Sequence, residues 1–445
     1  MSSLPSTSRF WIKTALEMAQ DAMSTISKYQ AIHGDVFKLA MAGRTRYVVI
    51  DPDLIDEVLV RQKKKFQKSK TYKELLPLLT GQGMIGTDGE HWRKHRRIAQ
   101  PAFHKKYLAT IYEQKRKVVD EYLNGMLKQP QPVVWNHEMT MLTLHVVTQA
   151  LMGEGIKGDA QAIHKAMDGS LNFLIQMALN PIVRATERFT NRRKEFYRQK
   201  NYIDQLVDSM IATRRREGND GRYDLMAMLM TSVDEETGET LDDEALKSEM
   251  LTIFLAGHET SANAMSWGIM SLLQQPETFA RLREEVDAVI GQELPSFDQL
   301  FQLSYTRQVA DEILRLNPPA WAVGRTVLES INLGGYDIPE GVDLILPFYH
   351  LHRHPKYWEH PNAFDPDRFS PERMDDIHPK AYLPFGSGPR KCIGNHFAII
   401  EMLLILAVVA QRFDLELLTD TVKGQATLTY RPVSDIMVRI SPRRA

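Results

Sequence analysis

The sequence predicts a mostly helical α+β protein with a small β-rich lobe. Apolar residues recur at helical spacing over residues 11–30, 140–152, 160–178, 181–216, 223–233, 242–275, 304–316 and 395–412. Short β-branched and aromatic runs stand apart from these, near the N-terminus, after residue 320 and close to the C-terminus. No Gly/Ser linker, low-complexity tract or internal repeat divides the 445 residues, so a single domain over residues 1–445 is expected.

In chain order, Trp11, Ala15, Met18, Ala22 and Ile26 define the first helix. Two β segments follow, Val36-Phe37-Lys38-Leu39-Ala40 and Arg46-Tyr47-Val48-Val49-Ile50, with Gly43 in the turn of an expected hairpin. Asp51-Pro52 opens a helix to about Arg61. Residues 66–90 read as a Gly-rich loop, yet hold Leu75, Leu76, Leu78, Leu79, Met84 and Ile85. These suit either satellite packing or a lid over a ligand. From Gly89 to Arg97 a basic helix places Trp92 and Arg96 on one face.

Residues 242–275 form one helix of roughly 50 Å, begun by acidic residues and stopped by Pro276. Its middle, Ala256-Gly257-His258-Glu259-Thr260-Ser261, is costly for a helix and suits a kink or a widened turn. The helix at 304–316 carries Glu312 and Arg315 at i, i+3 and stops at Asn317-Pro318-Pro319. A hairpin through Gly334-Gly335, a strand at Asp343-Leu344-Ile345-Leu346, and strands at 427–430 and 436–440 make up the remaining β structure.

Composition excludes several functions. Lys+Arg 55 against Asp+Glu 56 leaves a net charge of −1 and no bulk attraction to nucleic acid. A single cysteine excludes an intrachain disulfide and favours the cytoplasm. Arg9, Lys13, Glu17, Asp21 and Lys28 interrupt the first 31 residues, so no membrane anchor is expected there.

That cysteine lies in a turn-rich loop, Phe385-Gly386-Ser387-Gly388-Pro389-Arg390-Lys391-Cys392-Ile393-Gly394, just before the apolar helix at 395–412. A lone cysteine is ordinarily a small buried hydrophobe. Before a helix N-terminus, however, free N–H groups and the dipole favour a thiolate, a soft metal ligand. The pattern Phe385, Gly388, Arg390, Cys392, Gly394 resembles the haem-binding loop of the cytochrome P450 family. Three further motifs are similar to that family's: Trp92 with Arg96; Ala256-Gly257-His258-Glu259-Thr260; and Glu312-Ile313-Leu314-Arg315 with Arg368 in Phe364-Asp365-Pro366-Asp367-Arg368-Phe369.

The resemblance implies haem b, held without covalent attachment, and O2 as co-substrate. Cys392 would be the iron ligand, with Phe385 covering the sulfur, Gly388 and Gly394 admitting the macrocycle, and Ala256 in the groove above it. Trp92, Arg96, Arg325 and Arg390 would serve the propionates. Thr260 and Glu259 would manage protons, and Glu312, Arg315 and Arg368 would lock the loop before Cys392. Trp321 would narrow the pocket, though it reads equally as a core aromatic, and residues 431–435 would dip into it. His350, His352 and His354 read as structural.

The implied activity is monooxygenation of an apolar small molecule such as a fatty acid, terpenoid or steroid. Leu79, Met84, Phe173, Phe254, Trp321 and Val433 are candidates for the pocket wall. Electrons would come from a separate ferredoxin or flavodoxin, drawn either to the basic cluster Arg93, Lys94, Arg97, Lys105, Lys106 and Lys391 or not at all, if that cluster is an ordinary solvated face. A monomer is expected. The alternatives are a peroxide-driven peroxygenase or isomerase, which Glu259-Thr260 disfavours, and a haem sensor or carrier without turnover.

Overall fold

The structure is a computed structural model that describes residues 5–7, 11–41, 44–155, 158–179 and 181–444. Arg9 and Gly43 lie outside the described residues. Asp21 divides the expected first helix into α1 (Trp11–Gln20) and α2 (Ala22–His33), because its carboxylate accepts the Ser24 N–H at 3.0 Å and starts a new helix. β1 (Val36–Met41) and β2 (Arg44–Val49) pair antiparallel. Asp51 caps α3 (Pro52–Asp56), which continues as a π-helical turn over Glu57–Arg61.

The expected loop at 66–90 is instead largely ordered as β3 (Phe66–Lys68), α4 (Lys70–Leu75) and α5 (Pro77–Thr80). These pieces are too short for periodicity to reveal, and tertiary contact holds them. At Gly83 a side chain would meet Thr252 Oγ1 at 2.0 Å and the Ser248 carbonyl oxygen at 2.5 Å, so the backbone there lies directly on the long helix.

Next come α6 (Gly89–Ala99), α7 (Lys105–Thr110), α8 (Tyr112–Met126), β4 (Val133–Val134), α9 (Trp135–Met152) and α10 (Ala160–Leu179). The helix expected over 181–216 is broken into α11 (Pro181–Thr186), a 3-10 turn and α12 (Arg192–Glu217), with Thr190 extended between them. α13 (Leu225–Thr231) leads to α14 (Asp243–Leu273), the 31-residue helix, capped by Asp242. Residues 248–255 and 261–270 of α14 are continuously buried, and α9 lies along it. No widened turn appears: the helix stays α through residues 256–260. Gly257 is required by α9, since a side chain there would meet Val147 Cγ2 at 2.7 Å.

α15 (Pro276–Val289), α16 (Phe297–Leu300) and α17 (Ser304–Leu316) precede β5 (Val323–Val327), the expected hairpin β6 (Ile331–Leu333) and β7 (Tyr336–Ile338), β8 (Asp343–Leu346) and α18 (Phe348–Leu351). α19 (Asn395–Arg412) is followed by β9 (Phe413–Leu417), β10 (Gly424–Ala426), β11 (Tyr430–Pro432) and β12 (Met437–Pro442). The strand expected at 427–430 is the turn between β10 and β11, shifted because Thr427 N–H bonds the Thr429 carbonyl at 2.9 Å. One sheet has the order β1-β2-β8-β5-β3, with β2 and β8 parallel; another is β4-β12-β9. α19 is, among the described helices, the one long and apolar enough to cross a membrane, and it is buried in the helical core.

The segment before Cys392 is held by buried charge. Glu312 and Arg315 are both fully buried and pair through Nε–Oε2 at 2.6 Å and Nη2–Oε1 at 2.8 Å. Arg315 also donates to the carbonyls of His352, Pro361 and Ala363, and Arg368 to those of Glu359 and His360. Arg368 Nε lies 3.4 Å from Glu312, and Glu312 accepts the Asp365 N–H at 2.8 Å. His352 continues the chain of bonds, from the Arg315 carbonyl to the Leu383 N–H. His350 and His354 bind the Met23 carbonyl and the Asp35 carboxylate. Glu312→Gln leaves Arg315 buried without its counter-charge and is expected to cost about 3–5 kcal/mol in urea unfolding. A loss below about 1 kcal/mol would place the pair with solvent-screened bridges.

Candidate active site

Cys392 sits where the sequence places it, two residues before the N-cap of α19. Its N–H donates to the Phe385 carbonyl at 2.9 Å, closing the loop. Gly388 has φ +69°, and a side chain there would meet the Leu59 carbonyl oxygen at 2.1 Å, so the loop rests on the π-turn. Gly394 differs: the nearest atoms to a side chain would be Phe103 and Cys392 Sγ, at 3.9 and 4.0 Å, ordinary contacts. The protein's own packing therefore does not require glycine at 394.

Cys392 presents accessible surface although the chain around it is dense. Burial pushes its thiol pKa up, opposed by the Gly394 N–H, Arg96 and Lys391. The sequence argument from the helix N-terminus thus meets a stronger opposing term. A bound metal cation would displace that proton. Phe385 is half-buried in the loop.

Four cations gather near this loop. Lys68 and Arg325 stand directly opposite one another across β3 and β5, a like-charge pair that a sheet ordinarily avoids. Arg390 donates to Asp88 Oδ1 through Nε at 3.1 Å and Nη2 at 2.5 Å. Asp88 also accepts the Lys68 and Gly89 N–H groups, the latter capping α6. Against burial, these bonds hold the Asp88 carboxyl below its usual range. The Trp92 ring lies 5.7 Å from Lys68 Nζ and 5.3 Å from the Arg390 guanidinium. Arg96 is half-buried, with a 3.4 Å bond to Gln100; burial lowers its pKa and Cys392 raises it.

One carboxylate touching this group leaves it short of negative charge. Burial, with Arg390 and Arg325 adding and Asp88 opposing, pushes Lys68 down to about 7. Burial and then Arg390 push Arg325 down to about 10. An anionic ligand with two carboxylates would relieve both. Sequence reasoning selected Trp92, Arg96, Arg325 and Arg390 but missed Lys68 and Asp88. Asp88-Gly89-Glu90 carried a helix-cap signal for Asp88; Lys68 carried none.

On α14, Ala256 is exposed and Gly257, Glu259 and Thr260 are half-buried, between two long buried runs. The helix therefore opens onto space inside the fold at this step alone. Thr260 Oγ1 donates to the Ala256 carbonyl at 2.8 Å. Burial raises the pKa of Glu259, while Thr429 and Arg431 lower it.

Some expected wall residues are elsewhere. Phe173 stacks on Phe196 at 5.0 Å in the groove between α10 and α12, and Val433 is exposed. Leu79, Met84 and Phe254 are buried core. Trp321 borders an apolar cavity with Leu75, Leu171, Leu174, Ile175 and Leu428. Residues 427–428 reach that cavity, in place of the expected 431–435, because the β10–β11 turn falls there.

An accessible thiol, an opened helix step and a surplus of buried cations together fit a planar metal cofactor carrying carboxylates. Comparison with known proteins identifies the family. The Cytochrome P450 profile matches residues 3–436, and the chain belongs to that family. It is 32% identical over 423 residues to cyclooctatin synthase of Streptomyces melanosporofaciens, covering 94% of this chain and 92% of that protein. It is 30% identical to cyclooctat-9-en-7-ol 5-monooxygenase of the same organism over 86% of this chain and 83% of that protein. Pentalenene oxygenase of Streptomyces avermitilis is also 30% identical, with 90% and 88% covered. Among solved structures, a cytochrome P450DA heme domain superposes with a TM-score of 0.90 at 28% identity, covering 100% of this chain and 98% of that chain. The protein is accordingly a haem-dependent monooxygenase with O2 as co-substrate.

Lys68→Met tests the charge deficit. Haem release to excess apomyoglobin is expected to quicken about tenfold, the equivalent of one charge-assisted bond. Before haem is added, wild type should gain stability relative to the variant as pH rises from about 7 towards the ordinary lysine range. Over that window the unfolded lysine keeps a proton that the folded one has released. Unchanged release at every pH would remove Lys68 from the site.

Proposed function

We propose that this enzyme inserts one oxygen atom from O2 into a C–H bond of a cyclic terpenoid, with electrons supplied by a separate ferredoxin or flavodoxin in the cytoplasm. The observation that carries the reading is the apolar cavity between α4, α10, residues 321–324 and the β10–β11 turn. Its walls are mainly Leu, Ile, Val, Ala and Trp, with Arg46, Ser69, Thr71, Tyr72, Asp343 and Thr427 among the polar residues. Such a lining favours a guest with little polarity. The terpenoid names of three relatives narrow that guest further. The indole N–H of Trp321 is tied to the Thr427 carbonyl at 2.9 Å, which makes it a rigid wall for shape selection.

When bound, haem supplies reductive activation of O2. In this reading Cys392 ligates it, and Lys68, Arg96, Arg325 and Arg390, with Trp92, orient its carboxylates. Asp88 fixes Arg390. Ala256 and Gly394 leave the close approach that a flat ring needs. Thr260 places a hydroxyl at the opened step of α14, and Glu259 carries protons to that step from outside.

The redox partner is assigned to the face around His396. Arg93, Lys94 and Arg97 do not belong to it, because Glu90, Glu239, Asp234 and Glu236 already pair with them. Burial lowers the His396 pKa, and Lys391, Arg307, Lys105 and His104 lower it further. Lys391 and Lys105 are exposed close to the Cys392 loop and form the positive surface that an acidic carrier would meet, while Arg307 pairs with Asp311.

Cyclooctat-9-en-7-ol and pentalenene are the first substrates to test, with product identified by mass spectrometry; a spectral shift and product from fatty acids alone would overturn the terpenoid reading. Cys392→Ala should remove the carbon-monoxide band that gives the family its name, and its persistence would overturn the ligand assignment. Lys391→Glu with Lys105→Glu is expected to slow reduction by an acidic ferredoxin about tenfold at low salt, with the gap closing as salt rises. Equal, salt-independent rates would place the carrier elsewhere.

A further inference from the structure

Thr429 stands in the turn between β10 and β11 and is buried. Its hydroxyl gives its hydrogen to Glu259 Oε1 at 2.6 Å and receives one from Asn263 Nδ2 at 3.1 Å. Glu259 and Asn263 are four apart on α14, so one hydroxyl clamps a full helical turn. Among the described residues no other side chain hydrogen-bonds the Glu259 carboxylate.

The same carboxylate borders a cavity of about 370 Å³ lined by His164, Asp168, His258, Asn263 and Arg431. That space is large enough for several waters and has polar partners for them. Its outer wall is the pair Arg431 Nη1–Asp168 Oδ1 at 2.7 Å, with Arg431 also donating to Asn172 at 3.0 Å. Val433, exposed beside it, marks the solvent side.

We infer that Thr429 is a positioning residue for the oxidation: its hydroxyl fixes Glu259 between this wet chamber and the opened step of α14, so that protons enter through the chamber. The inference rests on the reading of Glu259 as the proton carrier. Productive turnover takes O2, two electrons, two protons and substrate C–H to C–OH and water. Without ordered proton delivery, the same O2, electrons and protons leave as hydrogen peroxide and the C–H bond stays intact. A loosened Glu259 therefore changes the fate of oxygen without changing substrate binding.

The test uses haem-loaded protein with an acidic ferredoxin, its reductase and NADPH, with pentalenene and cyclooctat-9-en-7-ol as probes. Hydrogen peroxide per NADPH is measured beside the probe-induced spectral shift. Thr429→Val removes the hydroxyl at nearly constant volume and should raise the peroxide share about threefold or more. Thr429→Ser keeps a hydroxyl and should restore coupling, while the dissociation constant of the probe stays within about twofold in both. A peroxide share in Thr429→Val equal to wild type, with Glu259→Gln raised, overturns the role of Thr429 alone. Wild-type coupling in Glu259→Gln as well overturns the proton-carrier reading and the inference with it. Failure of Thr429→Ser to restore coupling would mark Thr429 as merely structural.

Discussion

An unbalanced charge governs this structure. Lys68, Arg325 and Arg390, with Arg96 nearby, converge on one side of the Cys392 loop, and Asp88 is the carboxylate that touches them. Two of these cations face each other across adjacent strands, where like charge weakens pairing. A fold sustains such an arrangement when something anionic completes it, because an unmatched buried charge costs several kcal/mol. In the proposed reading the haem carboxylates would fill that part, and the β3–β5 edge, the α6 N-terminus and the Cys392 loop would hold together most tightly around cofactor. Cofactor binding and folding are then linked processes rather than successive ones.

A second network supplies rigidity where the first supplies demand. Arg315 and Arg368 donate to five carbonyls of the segment that leads to the loop, and Glu312 accepts from both of them and from the Asp365 N–H. Arg315 reaches three carbonyls and both Glu312 oxygens, a count only a planar guanidinium can satisfy. Through His352 the bonding reaches Leu383, two residues before Phe385. The loop is thus braced from the protein side, and the charge deficit sits beside that frame.

Legibility in the sequence followed the length and composition of each signal. α14, α17 and α19 were readable almost to the residue because long apolar periodicity, an acidic start and prolines or glycines bounded them. β3, α4 and α5 were not, since segments of three to six residues owe their form to distant chain: β3 pairs with β5, and α5 with the backbone just after it lies on α14. The break at Asp21 was a missed cap inside a periodic run. In the candidate site, motif residues such as Cys392, Thr260 and Arg390 were singled out by spacing. Lys68, Asn263 and Thr429 were invisible, because each matters through a partner more than 160 residues away or on another strand. The basic cluster shows the opposite limit: Arg93 pairs with Glu90 on its own helix, but Lys94 and Arg97 are answered by Glu239 and Asp234, acids between α13 and α14 that local sequence does not place.

Two carboxylates on neighbouring helices, Glu401 buried and Glu259 half-buried, differ in what surrounds them. Burial raises the pKa of both Glu259 and Glu401. Glu401, on α19, is fully buried, and its main counter-charge is Lys115, equally sealed and bonded to the Phe397 carbonyl at 3.1 Å under the Phe397 ring. Burial brings that lysine down to about 8. Glu259 meets the same desolvation but borders a polar chamber whose outer pair, Arg431 and Asp168, is partly exposed. A raised pKa allows a group to hold a proton near neutrality, whereas transport needs a path at both ends. Glu401 has the first property without the second. Glu259, shifted in the same direction, borders such a space through the chamber, and the difference arises from which side of α14 the β10–β11 hairpin covers.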